Sequence, residues 1–369
     1  MSSAADTTIG IRLYGVSLNV RCDHVELLDY LTRLLPGLHG APDTSPDVEV
    51  TGHWITDPPE RGESLFPDAT DLETLGKRMY IGDDDLVWFK TGRDRDLQLR
   101  FRQGDASPRF DVAYCYRPTD KKLAQRPNLK YRKFFDLLRY LVYYPAAWHL
   151  ERTRGWTMIH AAAVGDGSRA ILIGGPGGSG KTTTALALVA NAGMTLLSEN
   201  LVFCDGTRIY PLPEPLRLDD DSLALLGDGL EKSGGLEPLD APGSKSKSMY
   251  WLDRPSDDDG TAPALVFIPQ FSARGYVRAL EPAAASERLA AVNRLTLEVN
   301  DYYWYTAALD MLWPEPGNAR RQLEALEQLT SVAPCYTLGI DRRAGIAPVV
   351  ENVLGCLPHS ATPLQEANR

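Results

Sequence analysis

Alternating apolar and polar positions dominate the first third of the chain. Residues 9–20, IGIRLYGVSLNV, alternate like one half-buried strand. Residues 24–38, HVELLDYLTRLLPGL, repeat their apolar side chains at helical spacing, and Asp23 just before them is the expected N-cap. Strand alternation returns in three further segments, 47–55, 85–92 and 97–104. These patterns predict a smaller N-terminal α+β domain over residues 1–125, with a helix packed on an antiparallel sheet.

The next apolar pattern is helical. Residues 132–155, RKFFDLLRYLVYYPAAWHLERTRG, predict a long helix that Pro145 interrupts, because proline removes a helical hydrogen bond. We assign residues 126–155 to a helical connector between the N-terminal domain and a second domain, which spans residues 156–369.

The second domain begins with two apolar runs around a tight glycine turn. Residues 156–164 and 170–175 flank Gly165-Asp166-Gly167, and this arrangement predicts a β-hairpin. Residues 194–203, MTLLSENLVF, predict the next strand of a parallel sheet, with a polar interruption near its end. An α/β catalytic domain is the fold class that these patterns favour.

An aromatic segment follows at residues 300–313, NDYYWYTAALDMLW. Tyr302, Tyr305, Leu309 and Leu312 recur at helical spacing, which predicts a helix buried in a core or an interface. A wall that contacts a peptide or another substrate is the alternative for these aromatic side chains.

Composition narrows the functional class. The chain has 369 residues, a formal net charge of −10 and five scattered cysteines without a C-x-x-C pair. The acidic balance argues against nucleic acid and anionic membranes as partners, since both attract basic surfaces. Scattered cysteines indicate reduced thiols. The N-terminus does not resemble a signal peptide and no apolar run is long enough for a spanning helix, so we expect a cytoplasmic protein.

A glycine-rich segment carries the clearest chemistry. Residues 175–182 match the Walker A pattern G-x-x-x-x-G-K-T, between an apolar strand and a helix that ends at Gly193. Backbone N–H groups of such a loop and the helix N-terminus surround phosphate oxygens. Lys181 would reach the β- and γ-phosphates of ATP, and the Thr182 hydroxyl would bind Mg²⁺. The expected nucleotide-binding residues of this segment are Gly175, Gly177, Gly178, Ser179, Gly180, Lys181, Thr182 and Thr183.

Glu199 and Asn200 interrupt the strand that follows the Walker A helix. The Glu199 carboxylate could hold Mg²⁺ through water or accept a proton, whereas the Asn200 amide can position a group but cannot act as a general base. Alternatively, Ser198, Glu199 and Asn200 only cap a turn.

Two further polar residues stand out. His160 lies in an apolar strand, where a histidine is more often a hydrogen-bonded core residue than a catalytic one. Arg217, in PEPLRL, could contact a phosphate of the nucleotide or pair with Glu214, and a surface ion pair is the alternative. Lys245 and Lys247 lie in a segment rich in Gly, Asp, Ser and Pro, 219–260, that predicts either a solvated loop or a lid.

Several of these segments together resemble one family. IHAAAV, the fifteen residues from His160 to Gly175, the helix TTTALALV, and GMTLLSENLVF followed by RIYPLPEPLRL are similar to the catalytic domain of HPr kinase/phosphorylase. They are more similar still to the HPr-kinase-like proteins that include the lasso-peptide kinases. The resemblance is strong over residues 156–218 and weak from there to about residue 356.

The resemblance implies a P-loop HPr-kinase-like fold in which a bent sheet carries the phosphate-binding loop. In that family an Asp-Asp pair after the P-loop helix accepts a proton and contacts the metal, and a strand histidine lies nearby. Lys181 and Thr182 match the family motif, and His160 matches by position. Glu199 and Asn200 stand where the Asp-Asp pair stands, so Glu199 keeps a base and Asn200 removes one negative charge.

The resemblance thus implies that Glu199, His160 and Lys181 are catalytic, and that Thr182, Glu199 and Asn200 surround the metal. We expect an ATP- and Mg²⁺-dependent kinase that phosphorylates a hydroxyl, most simply a serine of a peptide or small protein in modified-peptide biosynthesis. Two other classes stay open: a non-catalytic ATP-binding module, and a small-molecule kinase or acyl-phosphate-forming enzyme. A homo-oligomer is also open.

Overall fold

The protein is a mixed α/β structure built around two large mixed sheets. The computed structural model describes residues 7–57, 59–60, 63–89, 91, 94–226, 237–239, 248–251 and 259–357. Lys245 and Lys247 lie outside these described residues, as does much of the segment 219–260.

The N-terminal sheet, in the described residues, has nine strands. They are β1 Thr7–Leu13, β2 Val16–Cys22, β3 His39–Gly40, β4 Val48–Ile55, β5 Glu73–Gly76, β6 Met79–Ile81, β7 Asp85–Phe89, β8 Leu97–Arg102 and β9 Arg109–Cys115, in the order β3-β1-β2-β4-β9-β8-β7-β6-β5. The β2–β4 and β4–β9 pairs are parallel, so the prediction of an antiparallel sheet was wrong. Helix α1, Val25–Leu34, makes the crossover that a parallel β2–β4 pair requires.

Two local predictions in this region were also wrong. Residues 9–20 form the hairpin β1–β2, which turns at Tyr14 and Gly15 with φ of +52° and +76°. Alternation continues across a two-residue turn, so periodicity alone does not reveal it. Asp23 is not the cap of α1, because its carboxylate accepts the Trp54 N–H at 2.9 Å and contacts His53 at 3.1 Å.

The helical stretch before the second sheet continues past Pro145. After a short helix α2, Asp120–Gln125, it comprises α3 Leu129–Leu138, a π turn Arg139–Tyr143 and α4 Tyr144–Arg154. Pro145 lies in the first turn of α4, where the Tyr144 N–H donates to the Arg139 carbonyl five residues back. Regular α-helix is thus interrupted next to Pro145, as predicted, but by a π turn that keeps the chain helical; a proline in a first turn needs no N–H donor, and the wider turn accommodates it.

The second sheet carries the Walker A segment. Its strands are β10 Thr157–Gly165, β11 Arg169–Gly174, β12 Thr195–Ser198, β13 Leu201–Cys204, β14 Ile209–Pro211, β18 Ala262–Phe271, β19 Tyr276–Leu280 and β20 Cys335–Ile340. The order is β14-β13-β10-β11-β18-β20-β19, with β12 also paired to β10. The β10–β11 hairpin is the predicted one. β11, β18 and β20 are parallel, so their carboxyl ends meet at one edge.

The remaining elements cover this sheet. A small three-stranded sheet consists of β15 Leu216–Leu218, β17 Ser248–Trp251 and β16 Glu237–Pro238, in that order. The described helices of this part of the chain are α5 Lys181–Ala192, α6 Asp220–Leu226, α7 Pro282–Leu295, α8 Leu297–Leu312, α9 Asn318–Val332 and α10 Ala347–Leu354. Among the described helices, none is long and apolar enough to cross a bilayer.

One apolar core joins the two halves of the molecule. It contains Leu31 of α1, Val50 of the N-terminal sheet, Tyr143 of the π turn and Phe203 of the second sheet. Tyr305 of α8 belongs to the same core and contacts Phe101 edge-on, with ring centroids 5.1 Å apart. The aromatic helix is therefore a core element that packs against the N-terminal sheet.

Candidate functional site

The glycine-rich loop lies between the end of β11 and the start of α5. Residues 175–180 connect Gly174 to Lys181 without a regular element, so the loop runs directly into the helix N-terminus. Gly178 and Gly180 have φ of +78° and +97°, which side chains other than glycine rarely adopt. The Ser179 N–H donates to the Pro176 carbonyl at 3.2 Å, and the loop ends at the N-terminus of α5, which favours an anion.

The loop keeps open space around its central glycines. A Cβ atom built on Gly177 or Gly178 would meet no atom within 4 Å. A Cβ on Gly175 would lie 2.6 Å from the Ser179 Oγ, so a larger residue there would force the Ser179 hydroxyl to move. The Ser179 hydroxyl is buried and has no hydrogen-bond partner among the described residues, as expected for a group that contacts a bound ligand.

Lys181 folds back over the loop. Its side chain is buried, and the ammonium donates to the Gly175 carbonyl at 2.8 Å and to the Pro176 carbonyl at 3.2 Å. Both carbonyls are neutral acceptors, so a phosphate oxygen would be a stronger partner for this cation.

Glu199 lies against the first turn of α5. The Thr182 hydroxyl donates to Glu199 Oε1 at 2.6 Å, and the Glu199 side chain is buried. Its other oxygen, Oε2, has no hydrogen-bond partner among the described residues. A buried carboxylate oxygen without a donor is costly, so this atom marks a place for a cation or a proton donor.

The strand around Glu199 differs from the prediction. Residues 194–203 form two short strands, β12 and β13, and both pair antiparallel with β10. Glu199 and Asn200 occupy the bend between these strands, and the Asn200 carbonyl accepts the Ala161 N–H of β10 at 3.0 Å. The prediction of one parallel strand was wrong. β13 pairs with the first half of β10 and β12 pairs with its second half, so the chain bends between them.

The residues present fit a magnesium ion bound together with a nucleotide. No group of three or more His, Cys, Asp or Glu side chains gathers among the described residues. Mg²⁺ usually needs only one or two protein ligands when phosphates supply the others. The Thr182 hydroxyl is a suitable direct ligand, and the Glu199 carboxylate could hold the ion through a water molecule, which leaves Oε2 without a bond to the metal.

Asn200 turns away from this pair and connects two buried groups. Its Nδ2 donates to Glu214 Oε2 at 2.8 Å, and its Oδ1 lies 3.0 Å from His160 Nε2. A carboxylate can only accept, so the Asn200 amide orientation follows from Glu214, and His160 Nε2 must carry the proton. His160 Nδ1 faces the Thr296 hydroxyl at 2.7 Å.

Arg139 anchors the far end of this chain of side chains. It projects from the π turn, and its guanidinium donates to Glu214 at 3.0 Å and lies 3.7 Å from Glu298. Arg217 pairs with the same Glu298 at 3.4 Å, so the ion pair expected between Arg217 and Glu214 is replaced by one between Arg139 and Glu214. Arg139, Glu298 and Thr296 were not predicted, although a lone arginine inside the apolar run LLRYLVYY is a usable signal.

Burial and nearby charge shift the pKa values of two groups here. Burial, with the Lys181 charge as the next cause, lowers the pKa of His160 to about 3, so the ring is neutral at pH 7. Burial would raise the pKa of Glu298, but Arg139 and Arg217 outweigh it and hold that pKa at about 2. His160 therefore feels the charges of Lys181 and Arg217, which lower its pKa, and of Glu298, which opposes them.

Two clefts flank this region. The first, which we call the loop cleft, has a volume of about 480 Å³ and is lined by residues of the glycine-rich loop and α5 together with the ends of β18 and β20. The second, the junction cleft, has a volume of about 410 Å³ and lies between the N-terminal sheet, the π turn and α8. Arg217 and Glu298 line the junction cleft, whereas Lys181, Thr182 and Thr183 line the loop cleft.

The arrangement can bind an anion at the loop, hold a cation or a proton at Glu199, and receive a second ligand in the junction cleft. A scan against protein-family models found no match for the chain, and a search of curated proteins found none either. The function proposed below therefore rests on the residues and distances of this site.

Proposed function

We propose that the protein is an ATP- and Mg²⁺-dependent kinase with a P-loop HPr-kinase-like catalytic domain, acting on a hydroxyl. The observation that carries this proposal is the contact between Thr182 and Glu199, 2.6 Å, with a buried and partnerless carboxylate oxygen beside the Walker A loop. A structural turn would not need to keep that oxygen without a donor.

The donor phosphates would lie in the loop. The N–H groups of residues 177–180 and the Ser179 hydroxyl would contact the β- and γ-phosphate oxygens. Lys181 would exchange the Gly175 and Pro176 carbonyls for the γ-phosphate. Thr182 and Glu199 would hold Mg²⁺, which neutralises charge on the phosphate oxygens when it is bound.

Glu199 would also take the proton of the acceptor. The acceptor oxygen forms a bond to the γ-phosphorus, the bond from that phosphorus to the β–γ bridging oxygen breaks, and the hydroxyl proton moves to Glu199 Oε2. The Thr182 hydroxyl fixes the opposite carboxylate oxygen during this transfer. No other residue of the bend can act as a base, since Asn200 is an amide.

His160 and Asn200 receive a different role in this proposal. A neutral histidine with a pKa of about 3 is too weak a base at pH 7. Both ends of the Asn200 amide are used by Glu214 and His160, so we do not include Asn200 in the metal shell. We assign His160 and Asn200 as positioning residues that hold the bend carrying Glu199.

The hydroxyl acceptor would approach from the junction cleft. This cleft is lined by Arg217, Glu298 and Arg139, which connect through Glu214 and Asn200 to the bend. Its volume of about 410 Å³ suits a small molecule or one side chain of a peptide. Arg217 thus belongs to the acceptor side of the site and not to the nucleotide.

A non-catalytic ATP-binding module is the second candidate. The Asn200 amide contacts His160 and Glu214 and does not face the metal position. Glu199 is then the only side chain of the bend that could serve the metal or the acceptor, and this favours a binding module without catalysis. The two candidates differ in one respect: the kinase needs Glu199 for turnover, and the binding module needs it for nothing but the metal.

The test combines binding and transfer. Calorimetry with Mg·ATP measures the donor site, and γ-labelled ATP with serine peptides and small alcohols measures transfer. We expect wild type to bind and transfer label, and Lys181→Ala to lose both, since no second mobile cation belongs to the motif. Lys122→Ala, on the exposed helix α2, is the matched control. Absence of Mg·ATP binding by wild type at millimolar nucleotide would exclude both candidates.

A further inference from the structure

The loop cleft extends well beyond the phosphate loop. Its far wall is built at the carboxyl ends of the parallel strands β18 and β20, which Phe271 and Ile340 terminate as direct partners. Arg342, Ile346 and Val349 follow β20 and line the same wall. A loop for phosphates alone would not need an apolar wall of this extent.

Phe271 is an unusual side chain for a strand end beside a helix N-terminus. It is 47% exposed although it is a large aromatic residue. The Arg342 guanidinium lies over its ring, 5.1 Å from the centroid. The guanidinium covers one face of the ring, so a nucleobase can stack on the guanidinium or on the opposite face of the ring; we call this pair of side chains the platform.

The platform is next to the phosphate loop. A Cβ atom built on Gly180 would lie 3.7 Å from Phe271 Cε1 and 3.2 Å from Ile340 Cδ1. A ligand whose phosphates lie at Gly180 can therefore extend directly onto Phe271. A volume of about 480 Å³ accommodates such a mononucleotide.

We propose that Phe271 and Arg342 form the purine-binding subsite of the loop cleft, with the base stacked on this platform and its edge against Ile346 and Val349. The inference rests on the proposed binding of a nucleoside triphosphate at the loop. Stacking contacts every base through its π face and reads little of its edge. The subsite therefore favours a nucleotide over inorganic triphosphate and discriminates weakly between ATP and GTP.

The experiment compares three probes by calorimetry: Mg·ATP, Mg·GTP and Mg with inorganic triphosphate. Stacking of one base is worth about 1 kcal/mol or more, so wild type should bind ATP at least about fivefold more tightly than triphosphate. We expect dissociation constants for ATP and GTP within about fivefold of each other. Phe271→Ala should weaken ATP binding to the affinity measured for inorganic triphosphate, and should leave the affinity for triphosphate unchanged.

Three further variants sharpen the result. Phe271→Tyr keeps an aromatic face and should retain the affinity for ATP. Phe271→Leu keeps apolar volume without an aromatic face and should lose the part of that affinity that depends on the base. Arg342→Ala should weaken ATP and GTP more than triphosphate, because the guanidinium contacts the base. Arg278→Ala is the control: it removes a similar arginine, 5.3 Å from the Tyr276 ring centroid, outside the cleft lining of the described residues.

The outcomes separate the subsite from the function. If wild type binds triphosphate as tightly as ATP, the purine subsite is wrong while the phosphate loop stands. If Phe271→Ala weakens both ligands equally, Phe271 supports the loop and does not bind a base, so the inference also fails. If wild type binds no probe, the proposed kinase fails and the subsite with it. Equal melting temperatures of wild type and variants confirm that each variant is folded.

Discussion

Thr182 and Glu199, seventeen residues apart in the chain, share a hydrogen bond of 2.6 Å beside the glycine-rich loop. Thr182 lies in the first turn of α5, and Glu199 lies in the bend between β12 and β13. Both partners are fixed by elements that pair with or pack on β10, so the contact belongs to the core of the second sheet. Three predictions concern this pair and its surroundings, and a fourth concerns the buried Glu151 elsewhere in the molecule.

Glu199→Gln keeps the side-chain size and removes the proton acceptor. We expect the rate of phosphoryl transfer to fall on the order of 10²-fold or more, with ATP affinity changed little. Single-turnover kinetics with γ-labelled ATP and calorimetry measure the two quantities. Glu287→Gln, on the exposed face of α7, is the control. A Glu199→Gln protein with wild-type turnover would place the base elsewhere.

His160→Ala removes the ring that holds Asn200 through Nε2. If His160 positions the bend, kcat should fall by roughly 10²-fold while the pH profile keeps its shape, because a group with a pKa of about 3 does not titrate near neutrality. His160→Gln, which can still donate to Asn200, should recover part of the rate. A change in the position of the pH profile would instead make His160 a proton carrier.

Asn200→Asp would create the acidic pair of the similar family but place it against another carboxylate. Asn200 Nδ2 is 2.8 Å from Glu214 Oε2, so an aspartate there loses a donor and gains a like charge in a buried site. We expect a loss of about 2 kcal/mol or more in the free energy of unfolding at pH 7. Urea denaturation measures it, and Asn191→Asp, exposed in the last turn of α5 where it donates to the Ala187 carbonyl, should cost no more than about 1 kcal/mol.

Acidification offers a second readout of the same substitution. One proton shared between Asp at position 200 and Glu214 removes the repulsion, so the variant should regain stability as the pH falls. A variant as stable as wild type at pH 7 would mean that the Asn200–Glu214 contact carries little energy.

Glu151 predicts a pH dependence of stability away from the site. Burial raises its pKa to about 7, although hydrogen bonds from Tyr302 and Gln322 oppose the shift. The unfolded carboxyl ionises near 4.5 and the folded one near 7, so the unfolded state releases its proton first. Its contribution to stability is fully present below pH 4.5 and declines as the pH rises to about 7, by on the order of 3 kcal/mol.

Denaturation curves between pH 4 and 8 measure this decline. Glu151→Gln cannot ionise and should remove that part of the slope, while Glu324→Gln, exposed on α9, should leave it in place. An unchanged slope in Glu151→Gln would show that Glu151 ionises alike in both states.

Local patterns were sufficient wherever the physical signal is local. The β10–β11 hairpin follows from two apolar runs around Gly165-Asp166-Gly167, and the glycine-rich loop with Lys181 and Thr182 follows from spacing along one stretch of chain. The burial of Tyr302 and Tyr305 follows from helical periodicity, which predicts a buried face without naming what covers it.

Relationships between distant segments required the tertiary structure. Parallel pairing of β2 with β4 depends on a crossover connection. The division of residues 194–203 into β12 and β13 depends on their pairing with two different parts of β10. The period of apolar residues along the chain encodes neither. Arg139 reaches Glu214 because a π turn rotates it inward, 75 residues away in sequence. The sequence by itself determined the glycine-rich loop and the candidate acid Glu199, because both are recognised from residue types and their spacing along the chain. Only the three-dimensional packing decided that Glu199 contacts Thr182 while Asn200 faces His160 and Glu214, because hydrogen-bond partners are chosen by position in space.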